Sequence, residues 1–268
     1  MHNLRVTLIQ ADLHWQNPEA NRHKFSRIIE GLDRPGHIVV LPEMFTTGFT
    51  MEAASFAETP DGPTIQWMRQ TAKERAVVLV GSLIIREGAS FFNRLYWVPP
   101  QGPLAWYDKR HLFRMAGEHT VYRAGQHLVT MELRGWKIRP FICYDLRFPV
   151  WSRNVNLQYD LALYVANWPW RRINAWRSLL QARAAENQAY VVGVNRVGKD
   201  GEGIEYSGDS LAVDAVGNIL ADLGQKEQAL TVELSAEALQ RYREKFPAWQ
   251  DADRFQLLKS GRGEGVRK

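Results

Sequence analysis

Three polar residues in this 268-residue chain stand where apolar runs stop. The run His37-Ile38-Val39-Val40-Leu41 gives way to Pro42-Glu43-Met44-Phe45. The run 103–107 gives way to Asp108-Lys109-Arg110-His111, and the run 136–142 stops at Cys143, the one cysteine. A thiol is a strong nucleophile once its proton is gone, and a carboxylate can take that proton. An ammonium can hold the negative oxygen formed when sulfur attacks a carbonyl. Glu43, Lys109 and Cys143 together are therefore a set for acyl transfer. Singly, each has a plainer explanation: a small buried hydrophobe for the cysteine, surface charges for the other two. A thiol at a strand-to-helix junction lies beside backbone N–H groups and the positive end of a helix. That placement predicts a lowered pKa and a reactive sulfur.

Elements must bring these groups together. Short β-branched or apolar runs read as strands at 4–10, 37–41, 77–85, 91–98, 103–107, 127–133, 136–142, 161–165, 190–197, 210–213, 218–223 and 229–234. Helical patterns fall between them. Asn17 caps and Pro18 opens a helix carrying Phe25, Ile28, Ile29 and Leu32. Pro63 opens a second over 64–75, Trp176, Leu179, Leu180, Arg183 and Ala184 mark a third, and Ser235 caps a fourth. Hairpins are expected within 77–107 and 210–234. More strands than helices predicts an α+β fold, a four-layer αββα sandwich of two mixed β-sheets with helices outside; a single doubly wound sheet is the alternative. Ligands bind beyond the carboxyl ends of strands in open sheets. If the strands before Glu43, Lys109 and Cys143 are parallel neighbours, the three converge.

Hydrophobic residues make up 45% and charged residues 24% of the chain, enough apolar matter for a substantial core. No repeat or linker divides it, so residues 1–268 read as one domain, with 256–268 a mobile tail. One cysteine excludes an internal disulfide framework and a cysteine-rich zinc site. The N-terminus lacks a signal peptide's apolar stretch, and the longest nearly apolar run, 76–85, is too short for a bilayer; a cytoplasmic protein is expected. The net charge of +5 is scattered, with no Lys/Arg block before the tail, which argues against nucleic-acid binding. The segment 198–203 lacks the Gly-Lys-Ser/Thr ending of a phosphate loop and reads as a charged hairpin tip. His111, His119 and His127 recur every eight residues, a period that builds no single-face metal site. Pairing one of them with Cys143 would leave Glu43 and Lys109 unexplained.

Three segments resemble, in order and spacing, the three signatures of the nitrilase superfamily of carbon-nitrogen hydrolases. They are Pro42-Glu43-Met44-Phe45-Thr46-Thr47-Gly48, Tyr107-Asp108-Lys109-Arg110-His111-Leu112-Phe113 and Cys143-Tyr144-Asp145-Leu146-Arg147-Phe148-Pro149. The resemblance runs over nearly the whole chain, including Gln10, the Gln181–Asn187 run and the Ser207–Ser210 turn. Within the superfamily the chain is most similar to the ω-amidase (2-oxoglutaramate amidase) branch, through the Glu43–Phe49 loop and the closing segment 246–255. The resemblance implies an αββα subunit that forms a homodimer and needs no metal or organic cofactor. It implies Glu43 as general base, Cys143 as nucleophile, and Lys109 with the Tyr144 backbone N–H as oxyanion donors. Glu118, in Gly117-Glu118-His119-Thr120, matches a second glutamate that supports the first; a plain loop carboxylate is the alternative.

The substrate so implied carries a carboxylate beside a ketone. Candidates to hold it are Arg147, Arg171, Arg172 and the Asn167-Trp168 pair, with Trp168 and Phe45 walling a flat pocket. The plainer alternatives are Arg147 bracing the nucleophile loop against a carboxylate, the double arginine on the surface, and both aromatics in the core. The leading reading is a cysteine-dependent amidohydrolase. It cleaves the terminal amide of short α-keto acid amides (2-oxoglutaramate, 2-oxosuccinamate) to acid plus ammonia through a thioester. The same chemistry on an N-carbamoyl compound, an aliphatic amide or a nitrile is the alternative. A non-catalytic binding protein with a redox-sensitive Cys143 is a third, against which the three polar groups together argue. The expected partners are a small amide bearing a carboxylate and a second copy of the chain, with neither nucleic acid nor membrane.

Overall fold

Alternating side chains set the layers. The computed structural model describes residues 1–253 and 255–257. In it β1 (Leu4–Gln10) turns Leu4, Val6 and Leu8 to one face and Ile9 to the other. α1 (Pro18–Glu30) starts where the Asn17 side chain accepts from the Ala20 N–H, with proline at its first position. β2 (Ile38–Val40) shows Ile38 and Val40 to the face shared with Leu8, and Val39 to Phe25 and Ile29 of α1. After the single turn α2 (Ala53–Phe56), α3 (Pro63–Arg75) adds Ile65, Met68 and Ala72 to that outer layer. β3 (Val78–Glu87), β4 (Ser90–Val98) and β5 (Ala105–Asp108) then form the expected antiparallel meander.

A single turn, α4 (Glu118–Val121), precedes the second sheet. There β6 (Met131–Leu133), β7 (Trp136–Ile142), α5 (Pro149–Ser152), β8 (Leu161–Ala166), α6 (Ile173–Asn187) and β9 (Tyr190–Asn195) follow in turn. A small hairpin of β10 (Val197–Lys199) and β11 (Glu205–Ser207) leads to β12 (Leu211–Val213) and β13 (Ile219–Asp222). β14 (Gln228–Leu234) and α7 (Ala236–Lys245), capped by Ser235, close the described fold.

The sheets are six-stranded and mixed, in the orders β14-β1-β2-β3-β4-β5 and β13-β12-β9-β8-β7-β6. Each holds three adjacent parallel strands, β1-β2-β3 and β7-β8-β9, with antiparallel strands outside. β1 packs on β9 and β4 on β7. Leu8, Val80 and Trp97 of one sheet share an apolar cluster with Ile138, Leu163 and Val192 of the other. With α1 and α3 outside the first sheet and α6 against β9 and β12 of the second, this is an α+β, four-layer αββα sandwich.

Three expectations change. The run 190–197 is two strands, because the chain leaves the second sheet after Asn195. The stretch 210–234 is not one hairpin unit: β12 and β13 pair, but β14 crosses to the first sheet, with Leu4 opposite Leu234 and Gln10 opposite Gln228. β11 has only Glu205-Tyr206-Ser207 to announce it, too short and polar to read as a strand. Of the expected tail 256–268, residues 258–268 lie outside the described residues.

Candidate active site

The side chains come from loops after β2, β5 and β7, and these strands are not neighbours. β2 and β5 are separated by β3 and β4 in the first sheet, and β7 lies in the second. The expectation of parallel neighbours is corrected: the groups converge across the sandwich. Each loop is tied down. Met44, at φ 42°, donates its N–H to Ser82 Oγ at 2.8 Å, fixing the Glu43 turn on β3. The Lys109 N–H donates to the Asn93 carbonyl at 2.9 Å, fixing the lysine turn on β4. Cys143, at φ 44°, sits in the sharp passage from β7 into the 3₁₀ turn Cys143–Arg147. Left-handed backbone at non-glycine residues is strained and persists only where its surroundings over-determine it.

Asp145 is much of that surrounding. Its Oδ2 accepts from the Ile142 N–H at 3.1 Å and the Tyr107 hydroxyl at 2.8 Å. Its Oδ1 accepts from the His111 N–H at 2.9 Å and ring Nδ1 at 2.8 Å. One buried carboxylate thus fastens the nucleophile loop to the lysine loop across the two sheets. The imidazole of His111 also stacks on Phe148, centroids 3.8 Å apart.

Inside this frame lies a buried charge cluster. Lys109 Nζ donates to Glu43 Oε1 at 2.9 Å and to Glu118 Oε1 at 3.0 Å, with all three side chains at most 1% exposed. Glu43 Oε1 also accepts from Asn93 Nδ2 at 2.8 Å, and Oε2 from the Asn167 N–H at 2.8 Å. Glu118 Oε2 accepts from the Phe113 N–H at 2.5 Å. Burial alone would lower the Lys109 pKa, but Glu118 and Glu43 outweigh it and hold the ammonium well above its ordinary value. Burial raises the Glu118 carboxyl against the pull of Lys109.

Burial, with Glu43 beside it, likewise pushes the Cys143 thiol well above its usual range, and Lys109 only partly opposes this. The expected lowering by a helix terminus is therefore corrected. The helical turn is five residues long, and two carboxylates stand near the sulfur. The shift favours the protonated thiol, which gives the neighbouring carboxylate a proton to remove.

The sulfur, half-buried, opens on a cavity of about 440 Å³ whose lining includes Lys109, Tyr144, Arg147, Asn167, Trp168 and Arg172. A family model for carbon-nitrogen hydrolases matches residues 5–244. The chain belongs to the carbon-nitrogen hydrolase family. It is 50% identical over 258 residues to "Omega-amidase YafV" of Escherichia coli K12, covering 96% of this chain and all of that one. It is 33% identical to "2-oxoglutaramate amidase" of Bacillus subtilis, covering 92% and 96%. The crystal structure of XC1258 from Xanthomonas campestris, a CN-hydrolase superfamily protein with an arsenic adduct in its active site, superposes with a TM-score of 0.94 at 45% identity, covering 96% and 100%.

In this carbon-nitrogen hydrolase Glu118 is far from a plain loop carboxylate, being buried on Lys109. No hydrogen bond among the described residues uses the Tyr144 N–H. Arg147 lies over the Trp168 ring at 4.9 Å and pairs with no carboxylate among the described residues, so the bracing alternative does not hold. Arg172 lies over Phe113 at 5.3 Å, whereas Arg171 is exposed and lines no part of the cavity. Asn167 lines the cavity, yet its hydrogen bonds serve Glu43: its side chain donates to the Glu43 carbonyl at 2.6 Å. Phe45 is a correction. It is buried in the outer layer, edge-on to Phe25 at 5.4 Å, and Phe49 lines the cavity instead.

The hairpin tip expected at 198–203 is present between β10 and β11. Sequence reasoning missed that its Asp200, Glu202 and Ile204 line the cavity with Tyr206, and it missed Asn93 and Trp15. Asn93 had a signal: it is the one amide inside the apolar run 91–98. Among the described residues no group of three or more His, Cys, Asp or Glu is placed to hold a metal ion, and no helix is long and apolar enough to cross a membrane.

Proposed function

We propose that the chain hydrolyses the terminal amide of short 2-oxo acid amides, 2-oxoglutaramate and 2-oxosuccinamate, releasing ammonia. The observation that carries this reading is the Lys109 ammonium bonded to both Glu43 and Glu118 in the cavity that holds Cys143. The names borne by relatives at 50% and 33% identity support the substrate class.

Cys143 gives its proton to Glu43 as sulfur attacks the amide carbon. Lys109 spends two of its three N–H groups on carboxylates, which leaves the third for the oxyanion beside the Tyr144 N–H. Glu43 passes the proton to the leaving nitrogen; ammonia departs and a thioester remains. Water, deprotonated by Glu43, attacks the thioester and releases the acid and the thiol. These steps use only protein groups and water. The Arg147 guanidinium, with Arg172 nearby, supplies positive charge for the substrate carboxylate, and Trp168 and Phe49 supply flat walls.

In the same proposal residues 1–268 form one catalytic domain, supported by the cluster shared between the sheets, and the protein works in the cytoplasm as a homodimer. An ammonia-release screen tests the substrate. It compares 2-oxoglutaramate, 2-oxosuccinamate, glutamine, asparagine, a simple nitrile and an N-carbamoyl amino acid. Strong preference for the first two is expected, and preference for the carbamoyl compound overturns the reading.

A further inference from the structure

Asn93, in the middle of β4 and fully buried, touches every charged member of the cluster from the first sheet. Its carbonyl accepts the Lys109 N–H at 2.9 Å. Its side-chain Nδ2 donates to Glu43 Oε1 at 2.8 Å and reaches Glu118 Oε1 at 3.4 Å, the same two oxygens that Lys109 Nζ holds. Two donors and two acceptors form a closed four-membered ring. Asn93 Oδ1, buried, has no partner. An unpaired buried acceptor is unfavourable. The arrangement makes sense if both amide hydrogens are committed to the two anions.

We infer that Asn93 is a positioning residue for the general base, saturating Glu43 Oε1 so that the thiol proton is received on Oε2. A carboxylate offers about four lone-pair directions, two on each oxygen. Lys109 and Asn93 take both on Oε1, and the Asn167 N–H takes one on Oε2. The remaining direction belongs to Oε2. The Asn93 amide also adds N–H donors to a cluster of two carboxylates and one ammonium without adding a charge that would compete for the oxyanion. The titratable groups in the cluster are Glu43, Glu118, Lys109 and Cys143, with the buried phenols Tyr122 and Tyr206 beside it. Across the cavity the sulfur also faces Tyr144, the cations Arg147 and Arg172, and the acids Glu52, Asp200 and Glu202.

The role assigned to Glu43 rests on the amidase reading; the test does not require its substrate. Iodoacetamide alkylation of Cys143 in the full-length protein is followed against pH for the parent, Asn93→Asp and Asn93→Ser. Removing a donor from an anionic base raises the proton affinity of the thiol–carboxylate pair. The midpoint of alkylation should then move to higher pH by about one unit, as expected for one hydrogen bond to a charged group. In Asn93→Asp the shift should be larger, because a third carboxylate joins the cluster. If the aspartate variant does not fold, Asn93→Ser, small and neutral, carries the same test. Midpoints that stay in place while only the melting temperature falls would make Asn93 a structural residue and overturn the inference. If the midpoint moves but no 2-oxo acid amide is hydrolysed, the substrate assignment fails and the positioning role stands.

Discussion

At the scale of single residues, the arithmetic of the site is two buried anions to one buried cation. Removing Lys109 would therefore harm more than catalysis. Lys109→Ala should lower the turnover number by on the order of a hundredfold or more, as loss of an oxyanion donor does, and change substrate binding less. It should also destabilise the fold, because Glu43 and Glu118 lose their counter-charge; an unchanged turnover number would contradict the oxyanion role. Glu118 behaves differently. Its pKa is raised by burial. A carboxyl raised in the folded state weakens the fold as pH climbs above its unfolded value of about 4.3, and does not below it. Glu118→Gln leaves Lys109 matched to Glu43 alone. It should melt above the parent at pH 8, with the gap closing toward pH 4.5, while turnover falls. Melting below the parent at pH 8 would show that the ion pair outweighs desolvation. Cys143→Ala should abolish ammonia release with the fold intact. Glu43, Lys109 and Cys143 were legible because each stands where an apolar run stops. Phe45 was misplaced because the loop after β2 buries it in the core and brings Phe49, four positions on, to the cavity, and no periodicity marks that choice.

At the scale of elements, two devices hold the cavity's shape. The first is the Asp145 clasp between the loops after β5 and β7. Asp145→Ala would strand the four donors whose hydrogen bonds its carboxylate accepts, each bond contributing about 1 kcal/mol net. Thermal unfolding should come several degrees earlier, and alkylation of Cys143 should lose its sharp pH dependence. The second is the β10–β11 tip, which rests on Trp15. A Cβ at Gly201 would stand 2.2 Å from Trp15 Nε1, so only glycine allows this approach. Gly201→Ala should push the tip off the indole and raise KM for a short substrate by about tenfold, with a smaller change in kcat. Equal KM values would remove the tip from substrate binding. Most strands and all four long helices follow from alternation, proline and caps. The turn of the tip was legible as well, but β11 and the tip's packing were not, because its strands are three residues each and their partners are each other. Nothing in 198–207 reveals that it covers a cavity built by residues as distant in sequence as Trp15, Phe49 and Cys143.

At the scale of the molecule, the nucleophile belongs to one sheet and its base and cation to the other, so the site exists only where the sheets meet. Activity and tertiary structure should therefore vanish at the same urea concentration; activity lost well before the near-ultraviolet signal would mean that the loops loosen on their own. That two sheets form was legible from the strand count, whereas their membership was not, since β14 carries no mark of its distant partner. Its pairing has a consequence for synthesis on the ribosome. The outer edge of β1 waits for a strand about 224 positions downstream. At about 5–20 residues per second, that is roughly 10–45 s in which a growing polypeptide displays an apolar, unpaired ribbon. An emerging chain with such an edge is exposed to self-association, and nascent-chain chaperones have their opportunity in that interval.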